Sequence, residues 1–198
     1  MDYTYGLFVY ENAASLDFIG PSDVFVISSY LLKKGRVLTI SEKPGSIRCI
    51  GGLEIVPCET IDTSPPLDVL VIPGTAEMES INTISNQALG WIRTQAARAR
   101  FATAVCTGAL VLRKAGLLDN RKATTHWMHI EDLSQDPAIT VMPEMRFVRD
   151  ENIVTSQGVS AGIDMALWVV GQLHSPEHAR EVRKIMQYDP APPYTAEV

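Results

Sequence analysis

No Cys-x-x-Cys pair, no Gly-x-Gly-x-x-Gly and no P-loop lysine motif occurs in this chain of 198 residues, and cysteine itself appears only three times. The first absence removes the simplest zinc site. The other two leave nucleotide binding without support in the sequence. An odd cysteine count, with no charged stretch leading into an apolar run at the N-terminus, fits a reducing cytoplasm better than a disulfide-bonded, exported fold. No apolar run approaches the roughly 20 residues of a membrane span, so no membrane partner is expected. Lys and Arg number 17 against 23 Asp and Glu, a net charge of −6, and form no long basic run. That balance argues against nucleic acid as the main partner. Internal repeats, low-complexity segments and linkers are also missing. The length suits one domain over residues 1–198, large enough to bury its core without disulfide staples.

What is present is an alternation of strand-like and helix-like segments. Tyr3 to Tyr10 is aromatic and β-branched and reads as a first strand. Leu16-Asp17-Phe-Ile-Gly-Pro21 leads into a helix toward Lys34, with Pro21 expected in its first turn. Arg36 to Ile40 reads as a strand, followed by a hairpin about Gly51-Gly52. Cys49 and Cys58 flank that turn out of register and read as structural. Asp68 to Ile72 has the unbroken apolar character of a strand buried on both faces and ends at Pro73-Gly74-Thr75. Asn86 to Arg98 carries Leu89, Ile92 and Ala96 at helical spacing. A strand ending at Val105 and a helix through Ala115 follow, then short strands around Ala123, Val141 and Phe147 and one over 152–155. Helices are expected over Ser160–Leu173 and Pro176–Met186, the latter with Ser175 as N-cap. Asp189 to Tyr194, rich in proline, is expected to lie non-helically on the surface. Alternating elements with short links imply an α/β fold: a mostly parallel sheet with helices on both faces and a site beyond the carboxyl ends of the strands.

The most informative run is Phe101-Ala-Thr-Ala-Val-Cys106-Thr-Gly-Ala-Leu-Val. A β-prone segment stops at a thiol and a helical segment starts directly after it, with Ala104 and Gly108 two residues to either side. Small residues suit a sharp strand-to-helix turn whose central residue is conformationally strained. The run reads as a nucleophile elbow carrying sulfur, and a helix N-terminus beneath the thiol is expected to lower its pKa. The alternative is a packed, inert cysteine.

A cysteine nucleophile needs a proton manager and a holder of negative charge. Backbone amides at Gly74 or Thr75, and at Thr107, are candidates for the second role; the alternative for Pro73-Gly74 is an ordinary turn. Asp17, in an apolar stretch that would raise its pKa, is the carboxylate candidate for proton transfer; its alternative is a helix cap. His126 and His129 stand three apart, a weak metal signal without His-Glu-x-x-His. His126 either touches the substrate pocket or is a satisfied buried histidine. His174 and His178 read as surface.

Ala104-Val-Cys-Thr-Gly-Ala-Leu-Val-Leu112, Ala115-Gly-Leu-Leu118, Lys122-Ala-Thr-Thr-His-Trp127 and Ser160-Ala-Gly-Ile-Asp164 together resemble the DJ-1/PfpI superfamily. The resemblance is strongest to its isonitrile hydratase branch and to the amidase-like domains of AraC-type regulators. Leu16-Asp17 with Gly20-Pro21, Leu67 to Leu70 with Ile72-Pro-Gly74, and Tyr188 to Tyr194 point toward the hydratase branch. The resemblance implies a flavodoxin-like three-layer sandwich, a homodimer, and Cys106 as the reactive thiol. It implies that Asp17 serves that thiol while water is added to an isonitrile or similar small electrophile, through a thioimidate and with no cofactor or metal. Thr107 stands where protease-like relatives often carry histidine, which argues against peptidase activity. Two departures touch expected pocket loops: Thr75 replaces a second glycine, and Ser156-Gln157-Gly158 replaces three glycines. A non-catalytic small-molecule or redox sensor using Cys106 is the alternative function. Aldehyde or glyoxal hydration is a third, although the glutamate or histidine it usually employs is not evident. The DNA-binding relatives carry a further helix-turn-helix domain, and no such segment follows here, so transcriptional control is not expected.

Overall fold

A computed structural model describes residues 2–189. The tail read as non-helical surface lies outside them from residue 190 onward. The chain runs β1 (Thr4–Phe8), α1 (Ser15–Leu32), β2 (Arg36–Ser41), β3 (Ile47–Arg48), β4 (Glu54–Ile55), β5 (Glu59–Thr60), β6 (Val69–Ile72), α2 (Glu79–Thr83), α3 (Asn86–Arg98) and β7 (Phe101–Val105). It continues through α4 (Gly108–Lys114), β8 (Lys122–Ala123), α5 (Ile130–Ser134), β9 (Thr140–Val141), β10 (Phe147–Asp150), β11 (Ile153–Ser156), α6 (Ala161–Leu173) and α7 (Pro176–Met186).

The main sheet has the order β10-β11-β7-β6-β1-β2-β5. Every pairing in it is parallel except β10 with β11. β6 and β7 are buried along their whole length, which is why they carry unbroken apolar runs rather than alternation. The chain winds outward from β1 to β2 in one direction and from β6 to β7 and β11 in the other. Right-handed crossovers therefore put α1 on one face and α3 and α4 on the opposite one. α6 and α7 return to pack on α1. The result is an α/β three-layer sandwich with a mostly parallel central sheet. The winding reverses between β1 and β6, and the crevice at such a switch point is where this architecture places ligands. Asp17, Gly74 and Cys106 follow β1, β6 and β7, the three strands around it.

Three expectations change. Helix α1 begins at Ser15, so Pro21 stands inside the helix rather than in its first turn. The helix carries it because Gly20 lies against Ile163 of α6 with no room for a side chain: a Cβ there would come within 2.9 Å of Ile163. Docking of the helix outweighs the missing N–H and the ring clash. His178 is buried, with its Nε2 2.8 Å from Ser28 Oγ of α1, not on the surface. Cys58 is exposed, its sulfur only accepting weakly from the Thr39 hydroxyl at 3.5 Å, so just Cys49 of the hairpin pair is packed. All three cysteines are free. No helix among the described residues is long and apolar enough to cross a membrane.

Candidate active site

Cys106 occupies the left-handed region at φ 59°, a conformation that costs a non-glycine residue about 1–2 kcal/mol. The surroundings hold it there. Its N–H donates to the carbonyls of Ser156 and Gln157, each at 3.2 Å, and its own carbonyl accepts from Thr125 Oγ1 at 2.9 Å. The turn needs the small residue expected two positions on: a Cβ at Gly108 would stand 2.3 Å from the Ile72 carbonyl oxygen and 2.9 Å from that of Pro73. Gly74 is equally constrained, because a Cβ there would lie 2.6 Å from Thr107 N and 2.9 Å from Cys106 Cβ. Glycine at 74 is thus a close-approach residue and not merely a turn former.

Asp17 lies in the first turn of α1, fully buried, and does not cap the helix. Its Oδ2 accepts the Gly74 N–H at 3.0 Å. Oδ1 has no partner at ordinary hydrogen-bonding geometry; the Cys106 thiol and the Val159 N–H face the carboxyl and favour its charged form. Burial opposes them and wins, raising the carboxyl to about 6. The expected rise is therefore present and its cause is desolvation.

The thiol behaves contrary to expectation. Burial and the Asp17 charge push Cys106 up to about 12, against the opposing Thr107 N–H and hydroxyl. Two turns of α4 cannot offset a buried carboxylate beside a cysteine only 8 % exposed. The resting pair is then a neutral thiol facing a carboxylate that can take its proton.

Two candidate charge-holding amides are occupied. The Gly74 N–H serves Asp17, and the Thr75 N–H donates to Thr107 Oγ1 at 2.7 Å, which in turn donates to the Thr75 carbonyl at 2.7 Å. These contacts fasten the β6 loop to the elbow, while the Thr107 N–H points to the sulfur. His126 makes no hydrogen bond to Cys106 or Asp17; it is half-exposed and stacks against Gly158, where a Cβ would meet its ring at 2.2 Å. It borders the site through that loop. Among the described residues no group of three or more His, Cys, Asp or Glu is placed to hold a metal ion.

Reasoning from the sequence missed three contributors. Tyr10, buried, donates its hydroxyl to the Pro73 carbonyl at 3.0 Å and braces the β6 loop. Thr125 holds the elbow carbonyl. Val159 presents its amide to Asp17 from φ 52°, which is strained for a β-branched residue. No periodicity marks any of them; each acts through a long-range contact.

A doubly wound α/β sheet with a strained cysteine after β7 and a buried carboxylate after β1 defines a class of cysteine-centred sandwich proteins. The chain belongs to the DJ-1/PfpI family, which it matches over residues 6–172. It is 38% identical over 193 residues to the isonitrile hydratase of Pseudomonas putida, covering 96% of this chain and 80% of that protein. A 138-residue stretch, 70% of this chain and 37% of the relative, is 28% identical to the HTH-type transcriptional regulator GbdR of Pseudomonas aeruginosa. Among solved structures, a THiJ/PfpI family protein from Pseudomonas syringae superposes with a TM-score of 0.88 at 32% identity, over 100% of this chain and 80% of that one. Drosophila melanogaster DJ-1beta shares the fold at TM-score 0.84 and 22% identity, over 96% of this chain and all of that one.

Proposed function

We propose that this protein is a cysteine-dependent hydratase that adds water to an isonitrile, or a similar small electrophile, to give an N-substituted formamide. The observation that carries this reading is the Asp17–Cys106 pair: a buried carboxyl raised to about 6, with one oxygen fixed by the Gly74 N–H, the other without a hydrogen-bond partner, and the Cys106 thiol facing the group. In the proposed reaction the Cys106 sulfur bonds to the terminal isonitrile carbon as Asp17 takes the thiol proton and passes it to that carbon. The product is a thioimidate, R–N=CH–S–Cys106. Asp17 then draws a proton from water as the water oxygen adds to the same carbon, and returns it to nitrogen. Collapse breaks the C–S bond, sends the hydroxyl proton back to sulfur through Asp17, and releases R–NH–CHO. One water is consumed and the thiol is regenerated. Thr107 N–H supports the sulfur as it acquires and loses charge.

The sensing alternative is less well supported, since redox-responsive thiols are exposed and of low pKa and Cys106 is neither. The test is formamide production from p-nitrophenyl isocyanide. Cys106→Ala should abolish turnover, and Asp17→Asn should slow it about 10²- to 10⁴-fold. Absence of turnover by folded wild-type protein with a reduced thiol would overturn the reading.

We further propose a homodimer. Helix α1 carries apolar residues on both its inner and its outer face: Phe18, Val24 and Phe25 are buried in the core, while Leu16, Val26 and Tyr30 are exposed at 43, 47 and 80%, with Asp23 the one charge among them. A helix of that character is ordinarily covered on both sides.

A further inference from the structure

The loop joining β11 to α6 touches the reactive residues directly. Ser156 and Gln157 supply both carbonyls that accept the Cys106 N–H, and Val159 turns its N–H to Asp17 from a left-handed conformation. Such a conformation persists in a β-branched residue only when its surroundings over-determine it. One residue outside the site brackets this loop, with its main chain at one end and its side chain at the other. The Arg146 carbonyl, just before β10, accepts the Gln157 N–H at 2.9 Å. Its guanidinium donates from Nε to Asp164 Oδ2 and from an Nη to Ser160 Oγ at 3.2 Å. Tyr188, following α7, places its hydroxyl beside both Arg146 and Asp164. A planar fork can serve two acceptors on one helical turn at once, which an ammonium point charge does less well.

We infer that Arg146 is a positioning residue: by tying Ser160 and Asp164 of the α6 start to the β10 strand it holds Val159 in place, and so sets the Val159 amide against Asp17 and the loop carbonyls against Cys106. This rests on Asp17 acting as proton carrier for Cys106, as proposed above. The ionisable groups facing Asp17 are the Cys106 thiol after β7 and the Tyr10 phenol after β1; those facing Arg146 are Asp164 and Tyr188. When the clamp is lost, Val159 relaxes, its N–H withdraws, and Asp17 ionises at higher pH.

The experiment follows the pH dependence of Cys106 alkylation by iodoacetamide in the full-length protein, on a Cys49→Ser, Cys58→Ser background. Wild type is compared with Arg146→Met and Arg146→Lys. The reactive state needs one proton shared between Asp17 and Cys106, so the rate climbs as the pair loses its first proton. Arg146→Met is expected to move that limb upward by about half to one pH unit, a roughly two- to fivefold lower rate at pH 6. Arg146→Lys should fall between the two. A limb in Arg146→Met that superimposes on wild type overturns the inference, including the case in which only the melting temperature falls. Because alkylation needs no substrate, a shifted limb without isonitrile turnover keeps the clamp and discards the hydratase reading. Turnover with an unmoved limb does the reverse.

Discussion

At the residue scale, the chemistry is concentrated in one buried charge. The folded chain holds the Asp17 proton more tightly than the unfolded chain, with its carboxyl at about 6 against 3.8. Stability is therefore expected to fall as pH rises from about 4 to 6, with the cost fully present above 6. A rise of about two units corresponds to about 3 kcal/mol. Asp17→Asn, isosteric and still able to accept from Gly74, should be more stable than wild type at pH 7 by up to that amount and indistinguishable below pH 4, as read by urea unfolding at both pH values. Activity should run the other way: turnover by wild type should fall as pH drops through 6 and Asp17 stops accepting the thiol proton. Gly74→Ala tests the close approach. Its Cβ would meet Thr107 N at 2.6 Å, and because both partners are fixed backbone or first-carbon atoms the expected loss is about 1–3 kcal/mol, with turnover falling in parallel. A fully stable and active Gly74→Ala protein would show the loop to be freer than its contacts with Thr107 and Cys106 imply.

At the element scale, local pattern accounts for much of the architecture. α3 spans Asn86–Arg98 as its apolar spacing predicts, β6 and β7 are the buried runs, and Ser175 caps α7 by accepting from the His178 N–H at 3.2 Å. The elbow was readable because a nucleophile at a tight turn demands small neighbours at fixed offsets, here Ala104 and Gly108. α2, α5 and β5 were not: five residues are too few to show a helical period, and β5 is only Glu59-Thr60, with no apolar run to mark it. The direction of the Cys106 shift was missed for a related reason: the helix below it is visible in sequence, whereas the carboxylate beside it is 89 positions away in the chain. His178 was misread because its partner is likewise distant. Its bond to Ser28 joins α7 to α1 in a buried setting, so His178→Ala should cost about 1–3 kcal/mol by stranding the hydroxyl. Ser28→Ala should remove most of the same term, leaving the double variant less destabilised than the two singles combined. Additivity in urea unfolding would mean that the contact does not couple the helices.

At the scale of the whole molecule, the site and the exposed face of α1 approach each other at the start of that helix, where exposed Leu16 precedes buried Asp17. At about 100° per residue, Leu16, Ile19, Asp23, Val26 and Tyr30 fall on one stripe, opposite the core-facing Phe18 and Phe25. Leu16 begins that stripe directly beside Asp17 and lies near Ile163 of α6, the helix that follows the Val159 loop. Trp127, 72% exposed, adjoins His126, which rests on Gly158 of the same loop. A cleft of about 610 Å³ opens elsewhere, between α2, α4 and the turn after α5. If the proposed dimer forms on the α1 stripe, its Leu16 end is expected to bring the partner over the entrance to Cys106, enclosing the proposed small substrate and excluding bulk water. The wild-type mass in solution should be twice 21.7 kDa by light scattering at micromolar concentration. Val26→Glu with Tyr30→Glu, both in the C-terminal half of the stripe away from the catalytic pair, should halve it. The resulting monomer should alkylate faster at Cys106 with a bulky maleimide than the dimer does, while its substrate KM rises. A monomeric wild type would remove the dimer and the roof together. A dimer unmoved by the two charges would place the shared face on another helix.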